Sequence, residues 1–107
     1  MAITKEQYDA AKAANPGVEI EVLQHDKLPD EVIARVPSSA NWAIFRNLQA
    51  DGKKMDAALL LVQSSVIVPD RATLMQMIEA HPGLTEVWAG ELIEMAGVSA
   101  GARRKKF

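Results

Sequence analysis

Between Asp56 and Pro69 the chain reads DAALLLVQSSVIVP, and no other stretch narrows its fold so much. A membrane-spanning helix needs about 20 predominantly apolar residues. This run is shorter, broken by Gln63, Ser64 and Ser65, and closed by Pro69. It therefore suits the interior of a protein. Ala58, Leu61, Val62 and Ser65 share one helical stripe, which Leu59, Leu60 and Ile67 widen. A helix apolar most of the way round is normally buried among several neighbours, so residues 53–66 are expected to form a central helix. Proline steers the residue before it away from the helical region, so Val66 to Val68 are expected to be extended.

The elements that would surround this helix follow from periodicity and punctuation. Thr4 and Gln7 stand at capping-box spacing, Ile3 and Tyr8 can close a hydrophobic staple, and Asn15-Pro16-Gly17 stops the first helix. Its apolar face is mostly alanine, which predicts light packing. Val18, Ile20 and Val22 alternate with Glu19 and Glu21. Val32, Ala34 and Val36 likewise alternate with Ile33 and Arg35. Period two with β-branched residues marks two half-buried strands and a hairpin. Two strands alone are marginal in water, so the hairpin must lie on the helices.

From Ser38 the period becomes helical. Ser38 or Ser39 can cap, Trp42, Phe45 and Leu48 recur on one face, and Asp51-Gly52 ends the helix. Asp70 caps a further helix with Leu74, Met75 and Ile78 on its core stripe and Met77 to the side, broken at His81-Pro82-Gly83. The last helix carries Leu84, Val87, Trp88, Leu92 and Met95, with Gly97 placed as its C′ residue. The fold class is therefore α+β, a short N-terminal helix and β-hairpin packed on a C-terminal bundle of three to four helices. A single domain over residues 1–97 is expected, followed by a flexible basic tail, 98–107, that holds Arg103, Arg104, Lys105 and Lys106.

Chemistry is hard to find. No cysteine is present, which removes disulfides and thiolate metal sites. The two histidines, His25 and His81, fall in a loop and at a helix end, without a second ligand at helical spacing. Glu91 and Glu94 read as a solvated helix face. Ser64 and Ser65 lack a nucleophile elbow and read as hydroxyls bonded back to the preceding turn. The glycines are scattered, so no phosphate loop forms. No catalytic residue, cofactor, metal or small-molecule substrate is expected. The opening MAITKEQYDA has no basic, then apolar, signal pattern, so the cytoplasm is expected.

What remains is surplus apolar surface. Met75, Met77, Trp88, Leu92 and Met95 are the candidate partner-binding residues, with Trp88 and Met95 expected to head an exposed patch on the last helix. Methionine suits surfaces that accept varied apolar partners. Arg103 to Lys106 could touch phosphate or an acidic partner, but the net charge of −2 and the lack of interleaved aromatics argue against nucleic acid. Homo-oligomerisation is left open.

The order of ARVPSSANWAIFRNL, then DAALLLVQSSVIVPDRATLMQMIEAHPGL, then WAGELIEMAG resembles the small tail assembly chaperones of Mu-like and related contractile-tailed bacteriophages. The telling parts are an apolar helix ending in Val-x-Pro-Asp, a helix closing on Pro-Gly-Leu, and Gly-Glu-Leu-Ile leading to Ala-Gly. The strand pair departs from the family in lacking aromatics. The resemblance implies a non-enzymatic protein of the host cytoplasm, absent from the mature virion. It would shield the tape measure protein and help recruit tail tube protein. The readings set against it are a small structural or adaptor protein of the virion, and a nucleic-acid accessory protein using the basic tail.

Overall fold

The computed structural model describes residues 2–98 and 101–107. In chain order it contains α1 (Lys5–Ala14), β1 (Ile20–Leu23), β2 (Val32–Arg35), α2 (Ser39–Ala50), α3 (Lys54–Ser65), β3 (Val66–Val68), α4 (Arg71–Ala80) and α5 (Leu84–Met95). The α+β class, with a helix and hairpin ahead of a helical bundle, is the one the sequence implies.

Local chemistry starts the helices where the sequence places them. The Gln7 backbone N–H donates to Thr4 Oγ1 at 3.1 Å and the Thr4 N–H donates to Gln7 Oε1 at 2.9 Å, closing the capping box. Ser38 Oγ accepts from the Asn41 N–H at 3.2 Å, and Asp70 Oδ1 from the Thr73 N–H at 2.9 Å. Each such cap satisfies an amide that the helix itself leaves orphaned. α5 ends in a full Schellman motif. The Val98 N–H reaches the Ile93 carbonyl at 3.3 Å and the Gly97 N–H reaches that of Glu94 at 2.9 Å. Gly97 stands at φ +98°, a conformation that a residue with a Cβ adopts only under strain.

The sheet is richer than a hairpin. β1 and β2 pair antiparallel with Ile20 opposite Arg35 and Leu23 opposite Val32. β3 then pairs antiparallel with β2, Ile33 opposite Val68, with a register irregularity between Ile33 and Ala34. The order is β1-β2-β3, so β2 is central. The Val68-Pro69 peptide bond is cis.

Both faces of this small sheet are covered, which corrects the expectation of half-buried strands. Val32 and Ala34 face the helical core, while Ile33 on the opposite face packs with Ile20 and Ala11. All three β2 residues are fully buried. The reason is α1. Ile3 and Tyr8, the staple pair, join Ala11 over the far face, so a helix poor in large residues still shields a strand. The Ile3 N–H also donates to Glu31 Oε1 at 2.8 Å, tying the entry to α1 onto the hairpin.

The main core lies on the other face. α3 packs against α2 and α5, as a helix apolar nearly all round must. Leu61 and Val62 from α3, Leu74 from α4, and Leu84, Trp88 and Leu92 from α5 are all essentially inaccessible. Each such side chain contributes about 1.5–3 kcal/mol through burial. Ala57, rather than Ala58, completes the buried stripe of α3. Ser64 Oγ donates to the Leu61 carbonyl at 3.3 Å, the back-bond expected of a helical serine. Ser65 does not follow it; its hydroxyl is buried without a partner among the described residues.

Candidate binding groove

The apolar patch expected on α5 does not form. Trp88 and Leu92 are 0% exposed, which corrects the expectation that they lie on a surface patch. Leu84, Trp88 and Leu92 recur every fourth residue and, with Thr85 and Ala89, make a continuous buried face against the other helices. Val87, assigned to the same stripe from sequence, falls at the edge of that face and is 42% exposed. Of the remaining candidates, Met75, Met77 and Met95 are half-buried and pack on the edge of the core.

Apart from the scattered exposed side chains of Ile44, Val87 and Val98, apolar surface remains open between α3, α4 and the first turn of α5. Met55, Asp56, Leu59, Met75, Ile78, Pro82 and Thr85 line a groove of about 220 Å3 there. A cavity of about 150 Å3 takes a benzene molecule, so this one has room for a large apolar side chain from a partner. Met55 is 69% exposed at its mouth. Met55 and Leu59 stand one helical turn apart on α3, and Met75 and Ile78 stand likewise on α4, so two neighbouring helices each present a pair to the same space. The wall is fixed by polar contacts behind it. Gln63 Nε2 donates to Met75 Sδ at 3.1 Å, and Arg71 Nη2 donates to the Gln63 carbonyl at 3.4 Å, holding α4 on α3.

Of the candidate partner-binding residues only Met75 lines this groove; Met55, Asp56, Leu59, Ile78, Pro82 and Thr85 were not among them. A signal was available in the i, i+4 spacing of Met55 and Leu59. It was masked because every residue of that run could equally be core.

The remaining polar features assemble no reactive centre among the described residues. His25 Nδ1 accepts the Lys27 and Leu28 backbone N–H groups at 3.0 and 3.2 Å, so this histidine shapes the hairpin loop. Gln24 Nε2 donates to Glu31 Oε2 across the base of that loop. Those two donors, Gln24 and then the Ile3 amide, hold the Glu31 carboxyl below its ordinary value, since both favour the ionised form. Asp70 is lowered by its cap to Thr73. No group of three or more His, Asp or Glu among the described residues is placed to hold a metal ion. No helix there is long and apolar enough to cross a membrane.

Two further hollows flank α5. One of about 360 Å3 is lined by Gln24, His25, Asp26, Lys27, Val87 and Glu91. The other, of about 320 Å3, is lined by Glu19, Glu21, Glu91, Glu94 and Met95, and shares Glu91 with the first. Residues 101–107, with Arg103, Arg104, Lys105 and Lys106, are exposed throughout, and Lys105 Nζ sits 4.9 Å from the centre of the Phe107 ring. None of the tail cations is brought to the groove.

Comparison with known proteins places the fold and no more. The chain matches no protein-family model and no curated protein. It is similar to the solved structure of the uncharacterised protein RBSTP2171 from Bacillus stearothermophilus, with a TM-score of 0.77 and 23% identity. That likeness covers 92% of this chain and 99% of the other. At this identity the shared property is the arrangement of helices and sheet.

Proposed function

We propose that this protein is a bacteriophage tail assembly chaperone that holds apolar segments of the tape measure protein, without catalysis, and aids assembly of the tail tube. The observation that carries this reading is the apolar groove with Met55 open at its mouth. A partner helix presenting side chains at i, i+3 and i+4 would set one of them between Met55 and Ile78. Methionines on two walls let the groove accept side chains of different shape, which suits a client made of many similar helices. The groove is small, so affinity would be moderate and the client releasable. The order of motifs from the second helix to the last, which resembles that of the small tail chaperones, is the reason for naming this client.

The test is co-purification with a tape measure protein co-expressed with this chain. Met55→Glu puts a charge at the mouth of the groove on a side chain already largely in water, so the fold should persist. Binding should weaken about tenfold, which corresponds to about 1.4 kcal/mol. Unchanged binding by this variant removes the groove as the site, and no co-purification at all removes the reading. Mass spectrometry of purified virions tests the assembly role separately. A chaperone is absent there, whereas a tail or capsid adaptor is present.

A further inference from the structure

The outer face of α5 borders two open hollows, and its chemistry differs from that of the groove. Glu91 and Glu94 stand on it, exposed, and Val87 and Met95 flank them. Across a furrow lie Glu19 and Glu21, on and just before β1. β1 is an edge strand, bonded to β2 on one side only. Carboxylates along an edge discourage a neutral strand from adding to it. A cationic extended segment meets the opposite situation, since it neutralises those charges as it lies along the edge.

The chain carries such a segment. Arg103, Arg104, Lys105 and Lys106 are consecutive, and Phe107 follows them. Residues 101–107 make no helix or strand and are exposed throughout, with Phe107 at 109%. Thus the cations lie off their own body, and the furrow stays open. Four carboxylates face four cations in number, with Val87 and Met95 available to the apolar ring and to the arginine and lysine stems.

We infer that the furrow between β1 and α5 is an interaction surface for segment 103–107 of a second copy of this chain. The contact is carried by the glutamates and set beside Val87 and Met95. Lys27, at the far end of the adjoining hollow, limits how far the cationic segment extends along α5. This inference is independent of the tail-chaperone reading, because it uses neither the apolar groove nor a phage partner.

Charge exchange between two variants of the full chain tests it. In sedimentation velocity the wild type should associate with rising concentration at 50 mM salt. Apparent affinity should fall at least about tenfold by 500 mM, because exposed pairs are screened as the Debye length shrinks. The face variant Glu91→Lys/Glu94→Lys and the tail variant Arg104→Glu/Lys105→Glu should each be monomeric with unchanged melting, since all four positions are exposed. Mixed together, the two variants should associate again, because the tail variant keeps all four furrow glutamates and the face variant keeps all four cations of the segment. A wild type monomeric at both salts overturns the inference. So does association that survives the face variant, or a mixture that stays monomeric.

Discussion

Trp88 offers the sharpest check on how this core works. It is the largest fully buried side chain, 0% exposed, and its indole Nε1 has no hydrogen-bond partner among the described residues. Replacing it with alanine removes the centre of the α5 face and leaves a cavity that surrounding helices fill only in part. Losses of about 3–5 kcal/mol accompany such changes. A domain of 107 residues has about 5–15 kcal/mol in total. Trp88→Ala should therefore forfeit about a fifth of the stability or more and lower Tm by about 12–20 °C, at about 4 °C per kcal/mol. Trp88→Phe separates two contributions. The ring still fills most of the space, while the unpartnered donor, which costs about 1–3 kcal/mol when buried, is gone. Its net loss should stay below about 1.5 kcal/mol. Urea unfolding followed by far-UV circular dichroism, with Trp42 emission as a second probe, measures both. An alanine variant within about 1 kcal/mol of wild type would refute the argument, as would a phenylalanine variant that is equally damaged. Loss of partner binding by Trp88→Ala is then a consequence of unfolding and says nothing about contact.

Ser65→Ala should be neutral or stabilising by up to about 1–2 kcal/mol, because it deletes a buried hydroxyl that bonds to nothing described; a urea midpoint shifted clearly downward would contradict this. Gly97→Ala should cost about 1 kcal/mol or more and fray the last turn of α5, because φ is +98° there. Faster amide exchange at Val98 than in wild type is the expected readout. The Glu31 carboxyl is held below its ordinary 4.5 by Gln24 and the Ile3 amide. Its contribution is therefore present above about pH 4.5 and is lost as pH falls through the lower folded value. Glu31→Gln should flatten the acid limb of a stability–pH curve in that window, and identical limbs would sink the assignment.

Several features are legible in the sequence because their chemistry is local. Thr4 with Gln7, Ser38, and Asp70 set helix starts through side chains within three residues of the amides they satisfy. Gly97 sets an end through a single backbone angle. Val66 to Val68 read as extended because Pro69 follows them. That they form a third strand on β2 was not legible, since pairing depends on residues some thirty positions earlier.

Periodicity gives the face of a helix only relative to its own residues. It put Val87 and Trp88 on one stripe of α5, yet one is exposed and the other sealed. The same limit hid the groove. Met55 and Leu59 belong to a run whose every apolar residue could be core, and only the space left between α3, α4 and α5 decides which of them meet water.

The linear order of residues thus dictates the class of fold, the capped and broken ends of the helices and the central place of the helix Lys54–Ser65, one residue shorter at each end than its apolar run implies. Caps, breakers and apolar runs act through neighbours along the chain. Packing in three dimensions decided that α1 would cover the sheet, that Trp88 would be sealed and that Met55 would stay open. Burial is shared among elements distant in sequence, and no single stretch records where its partners end.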